Sequence, residues 1–83
     1  MARGQELESS IQARIIKRYT DEGWLVVKMG LCNINGIPDL LCLKDGKALF
    51  VEVKRPGKKP RRLQEYRIKQ LQEQGFDVLV LTD

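Results

Sequence analysis

The sequence contains no histidine and only two cysteines, Cys32 and Cys42. The lack of histidine removes the side chain that enzymes use most often as a general base. The two cysteines stand ten positions apart, which fits neither the close Cys-x-x-Cys spacing of redox motifs nor that of zinc sites. We therefore expect two free thiols, and any catalysis must use carboxylates, lysine or water activated by a metal ion.

Long apolar runs are also missing. No run approaches the length of about 18 residues that a membrane-spanning helix needs, and the first residues lack the apolar region of a signal peptide. The sequence therefore predicts a cytoplasmic protein without membrane association. Its 83 residues predict one domain, residues 1–83, near the small end of sizes that fold by hydrophobic burial alone, which favours a partner chain.

Positive charge is in excess, with a net charge of +4. It is concentrated in residues 54–62, where proline and glycine interrupt six cationic side chains. Such a segment is either a solvated connection or a surface that contacts the phosphates of a nucleic acid. Because it directly follows the acidic residues described next, we predict DNA contacts from five of these side chains: Arg55, Lys58, Lys59, Arg61 and Arg62.

Two apolar runs flank Asp45-Gly46, a preferred pair for a two-residue type I′ hairpin turn. Counting outward from this turn places Asp39 opposite Glu52. Like charges directly opposed on neighbouring strands are destabilising. Lys54 points to the same face as both carboxylates, because side chains alternate along a strand.

A hard divalent cation would turn this repulsion into attraction, since Mg²⁺ takes oxygen ligands. Asp39, Glu52 and Lys54 therefore predict a site for Mg²⁺ or Mn²⁺ at the polar end of an apolar sheet surface. The alternative is a solvated hairpin end, with Asp39 as a turn residue and the other two as surface charges.

Helical spacing over residues 6–22 predicts a first helix that ends at Gly23. Its apolar stripe consists of Leu7, Ile11, Ile15 and Tyr19. Glu8 lies inside this stripe, and an acid on a buried face is costly unless it is paired or binds a cation. Glu8 is thus a candidate third carboxylate, unless it only serves the helix dipole from the first turn.

The remaining segments complete an α-β-β-β-α-β order. Residues 24–29 predict a strand, and a second helix begins at residue 61 or 62 and ends at residue 74. Residues 76–82 predict a closing strand inside the sheet, parallel to the strand before the second helix. Gln64 lies on the inward stripe of that helix, as a structural amide or as a group that positions the lysine, water or phosphate. Two helices cannot cover both faces of the sheet, which predicts a homodimer.

These motifs resemble those of the PD-(D/E)XK nuclease superfamily and, more specifically, the VRR-NUC domain, the virus-type replication and repair nuclease module. The matching segments are Glu8-Ser9-Ser10-Ile11-Gln12, Gly36-Ile37-Pro38-Asp39, Glu52-Val53-Lys54 and Gln64. The likeness spans nearly the whole chain and implies the α/β core of this superfamily, a mixed four-stranded sheet flanked by helices.

The resemblance implies phosphodiester hydrolysis that depends on Mg²⁺ or Mn²⁺, without an organic cofactor. Asp39 and Glu52 are the implied metal ligands, with Glu8 ligating directly or through water and the Val53 carbonyl as a further ligand. Lys54 is implied near the nucleophilic water or the scissile phosphate, and Gln64 completes the catalytic set. Small members that stand alone resemble homodimeric endonucleases for branched DNA, such as four-way (Holliday) junctions.

Two other functions stay open from the sequence. The chain could be a non-catalytic nucleic-acid-binding module in which the basic segment binds and the acids are structural. It could also be a restriction-like nuclease that reads a base sequence, although its short loops leave little material for contacts with base edges.

Overall fold

A computed structural model describes residues 6–82. The predicted α-β-β-β-α-β order is confirmed. The elements are α1 (Glu8–Asp21), β1 (Leu25–Lys28), β2 (Leu40–Lys44), β3 (Lys47–Val53), α2 (Arg62–Glu73) and β4 (Asp77–Leu81). The predicted domain, residues 1–83, extends past the described range at both ends, so its limits stay a prediction.

The four strands form one mixed sheet in the order β1-β2-β3-β4. The first two pairings are antiparallel, and β3 pairs with β4 in parallel through the α2 crossover. Asp45 and Gly46 both have positive φ, 51° and 77°, as a type I′ turn requires. Lys44 pairs with Lys47, so the predicted register is confirmed.

The core lies between α1 and one face of the sheet. Its buried members are Ile11, Ile15, Tyr19, Leu40, Cys42, Val51 and Val53. The prediction that Leu7 belongs to the buried stripe of the first helix was wrong. The helix α1 begins at Glu8, and Leu7, in an extended conformation just before it, is 64% exposed. Burial raises the pKa of the Cys42 thiol, which suits an inert core residue.

The second face of the sheet is only partly covered. None of the α2 residues, all of which the structure describes, is fully buried. Phe50 meets Phe76 edge to face, with ring centroids 5.9 Å apart. Leu25 and Val27 remain exposed within residues 6–82, so this face offers apolar surface to a partner.

β4 lies at the edge of the sheet, not inside it as its apolar sequence suggested. Leu79 and Val80 are consequently exposed within the described part of the chain. The reason is topological, because the α2 crossover places β4 beside β3 and no later strand of residues 6–82 pairs with its outer side. No helix among these residues is long and apolar enough to cross a membrane.

Candidate functional site

Asp39 stands directly before β2, after the buried Pro38. Its Oδ2 accepts a hydrogen bond of 2.8 Å from the N–H of Val53, at the end of β3. Its backbone carbonyl accepts another of 2.8 Å from the N–H of Met29. These two hydrogen bonds fix Asp39 between the end of β1 and the end of β3, the strands on either side of β2, as the hairpin register requires.

Glu52 is the most deeply buried charged residue of the site, with 1% of its surface exposed. Its Oε2 accepts a hydrogen bond of 2.8 Å from Gln64 Nε2 and lies 3.2 Å from Lys54 Nζ. Its Oε1 is buried and has no hydrogen-bond partner within residues 6–82. Within the part of the chain that the structure describes, Oε2 thus carries both polar contacts of the carboxylate and Oε1 has none.

The charges of the neighbouring acids act on Glu52. Burial is the main cause that raises the pKa of Glu52, and the Asp39 charge raises it further. Lys54 opposes this rise through its hydrogen bond and charge, while Glu8 adds the smallest upward contribution to the pKa. The two acids and the lysine that the sequence placed on one face are therefore close in space.

The donor set fits a hard divalent cation. A buried carboxylate oxygen without a partner is costly, and a neighbouring second carboxylate supplies the oxygen chemistry that Mg²⁺ or Mn²⁺ prefers. Asp39 and Glu52 are the residues that would hold it. The Val53 carbonyl belongs to the residue whose N–H binds Asp39, and it stays a predicted ligand.

Glu8 stands slightly apart from the two other carboxylates. Within residues 6–82, no group of three His, Cys, Asp or Glu side chains is placed to hold a metal ion. Glu8 is half-buried as the first residue of α1, and its charge reaches Glu52. Ligation by Glu8, directly or through water, stays a prediction.

Gln64 joins α2 to the site. Its Nε2 donates to Glu52, and its Oε1 accepts a hydrogen bond of 2.8 Å from the Arg61 N–H just before the helix. A glutamine at this helix position commonly satisfies an unpaired N–H at the helix start. Gln64 is thus a structural amide that caps α2 and contacts the Glu52 carboxylate, and its role in positioning the lysine, water or phosphate stays a prediction.

The basic segment lies against the site. A cavity of about 290 Å³ separates it from α1 and is lined by Glu8, Lys54, Arg55, Lys58, Lys59 and Arg61. Arg62, the first residue of α2, is exposed and outside this lining. The cavity was not predicted, because the sequence shows Glu8 and the cationic run separately but gives no sign that they share one space.

The chain is similar to known proteins in sequence and in fold. Residues 25–82 match the family model described as "VRR-NUC domain". The chain is 35% identical over 75 residues to "Putative nuclease p44" of Acyrthosiphon pisum secondary endosymbiont phage 1, an alignment that covers 89% of this chain and 81% of that protein.

Solved structures give the same assignment. One described as "VRR_NUC domain" is 33% identical with a TM-score of 0.80, and the match covers 88% of this chain and 81% of the other. A second, described as "VRR_NUC domain protein", shares the fold at 18% identity with a TM-score of 0.75, covering 90% of this chain and 76% of the other. From its sequence match and its fold together, the chain belongs to the VRR-NUC domain family.

Proposed function

We propose that this protein is a DNA endonuclease that hydrolyses phosphodiester bonds with the help of Mg²⁺ or Mn²⁺. The observation that carries the proposal is the buried Oε1 of Glu52, which has no hydrogen-bond partner among the described residues and lies beside Asp39 and Lys54. Membership of the VRR-NUC family and the relative named "Putative nuclease p44" support a nuclease.

The chemistry needs water to attack phosphorus while the bond to the leaving oxygen breaks, and negative charge grows on the phosphate oxygens. A bound divalent cation would supply Lewis-acid activation of water and neutralise part of this charge. Lys54 provides a fixed positive charge at the same place, held 3.2 Å from Glu52. Gln64 keeps the Glu52 carboxylate in one orientation.

The proposed substrate is branched DNA, such as a four-way junction, and the proposed active form is a homodimer. The partly exposed second sheet face, which includes Leu25 and Val27, supports a contact with a second copy. A dimer with two-fold symmetry would present two sites and two basic segments, matching the symmetry of a four-way junction. Arg55, Lys58, Lys59, Arg61 and Arg62 supply the phosphate contacts.

Single-turnover cleavage of end-labelled linear, flap and four-way DNA tests the proposal, with Mg²⁺ in one arm and EDTA in the other. We expect nicking in Mg²⁺, fastest on the four-way junction, and none in EDTA. DNA binding without metal-dependent nicking would instead support a non-catalytic binding module. Light scattering at micromolar concentration tests the dimer, which a monomeric mass would exclude.

Gln64→Ala is expected to lower the single-turnover rate by about 10- to 100-fold, the usual cost of removing a group that orients a metal ligand. The variant loses the hydrogen bond to Glu52 and the cap on Arg61. Gln70→Ala is the matched control, since Gln70 is an exposed glutamine of the same helix. Equal rates for Gln64→Ala and Gln70→Ala would contradict the orienting role.

Lys58→Ala combined with Lys59→Ala is expected to weaken DNA binding and to reduce the slope of log K against log salt by about 2. Each phosphate contact contributes roughly 0.9 to that slope. Both lysines are exposed beside the cavity, so the domain should stay folded. The control removes equal charge from α1 and the hairpin turn by Lys17→Ala and Lys47→Ala, and an equal slope change in both pairs would exclude specific contacts.

A further inference from the structure

Leu31, in the segment between β1 and β2, projects fully into solvent with a relative exposure of 102%. Single exposed leucines are common and carry no meaning by themselves. Two further observations set this one apart, namely its distance from the candidate site and the way its segment is held.

Leu31 lies near Asp39 of the candidate site. The N–H of Met29 donates to the carbonyl of Asp39 at 2.8 Å, and Leu31 follows Met29 by two residues. Consecutive Cα atoms are about 3.8 Å apart, so the Leu31 Cα lies within about 8 Å of the Met29 Cα. Opposed residues of antiparallel strands have Cα atoms about 5.5 Å apart, so the Leu31 Cα lies within about 14 Å of the Asp39 Cα, a span of about four nucleotides at roughly 3.4 Å each.

The far end of the segment is anchored to α2. Arg67 Nε donates to the Asn35 carbonyl at 2.8 Å. Gly36 has a φ of +85°, and a Cβ added there would lie 2.9 Å from Leu63 Cγ, so only glycine allows this close approach. One end of the segment is thus tied to Asp39 and the other to the helix that carries Gln64, which leaves Leu31 exposed on a supported loop.

We infer that Leu31 is an apolar wedge that inserts between bases at the branch point of the DNA substrate, an inference that rests on the proposed function. Proteins use leucine, phenylalanine, isoleucine and methionine in this way to unstack and bend DNA. Unstacking is least costly where bases are already unpaired or distorted. Leu31 then discriminates branched from linear DNA, while the basic segment binds both.

The test compares Leu31→Gln with Leu31→Met, which keeps an apolar side chain of similar volume. Leu31→Gln is expected to lower the ratio of single-turnover rates on four-way and linear DNA by about tenfold, with the linear rate little changed. Leu31→Met is expected to keep the wild-type ratio. With 2-aminopurine at the branch point and EDTA to prevent cleavage, binding of wild type and Leu31→Met should raise the fluorescence, and binding of Leu31→Gln should not.

Leu79→Gln is the control, since Leu79 is an exposed leucine on the edge strand β4, where it pairs with Val51 of the core face and lies outside the proposed dimer contact. An unchanged rate ratio in Leu31→Gln, or equal wild-type rates on branched and linear DNA, would overturn the wedge and leave metal-dependent cleavage intact. Conversion of Leu31→Gln alone to a monomer would overturn it in favour of a contact between copies. A wild-type protein that cuts no DNA would remove the proposed function itself.

Discussion

Lys54→Met is expected to reduce single-turnover cleavage in Mg²⁺ by roughly 10³-fold, the upper range for loss of one group that stabilises transition-state charge. Lys54 is 7% exposed, and its Nζ lies 3.2 Å from Glu52 Oε2. Methionine fills similar volume but removes the charge and the donor. The Asp39 and Glu52 oxygens remain, so the domain should fold and still respond to metal.

Lys47→Met serves as the control for Lys54→Met. Lys47 is exposed beside the hairpin turn, so its loss should leave the rate near that of wild type. Circular dichroism should show a cooperative thermal transition for both variants. Cleavage by folded Lys54→Met at the rate of Lys47→Met would refute the assigned role of Lys54.

Asp39→Asn should separate stability from activity. Asparagine can still accept the hydrogen bond from the Val53 N–H through its carbonyl oxygen. It removes one of the two charges that raise the pKa of Glu52. We therefore expect the metal-free variant to be as stable as wild type or more stable, by up to about 1 kcal/mol.

The same substitution removes a proposed metal ligand. Lewis-acid stabilisation is worth several kcal/mol, so cleavage should fall by roughly 10³-fold or more. Wild-type Tm should rise as Mn²⁺ is titrated, and Asp39→Asn should show little or no rise. Asp45→Asn, at the distant turn, is the matched control. An equal Tm increase in both variants would mean that Asp39 does not bind the ion.

The sequence was most informative where local chemistry decides the structure. Asp45-Gly46 sets the turn, and alternation along the strands then sets the register that brings Asp39 and Glu52 together. The turn and the alternation of side chains both depend only on residues that are close together in the sequence. The inward stripe of α2 and the family resemblance both pointed to Gln64, but its hydrogen bond to Glu52 depends on how α2 packs against the sheet.

Sequence patterns failed where the outcome depends on how the elements assemble. The apolar run of β4 reads as an interior strand, but the order of strands makes it an edge. Leu7 follows the helical period, yet it precedes the first turn of α1 and is exposed. Hydrophobic periodicity shows which side chains are apolar enough for a core. It does not show at which residue a helix begins or which strand lies at the edge of the sheet.

The proposed function depends on Asp39 and Glu52 together holding a divalent cation. The most direct measurement is the anomalous difference map of a crystal soaked in Mn²⁺. We expect a peak within coordination distance of both carboxylates, including Glu52 Oε1. Occupied Mn²⁺ sites elsewhere in the same crystal, with no peak between these two carboxylates, would contradict it.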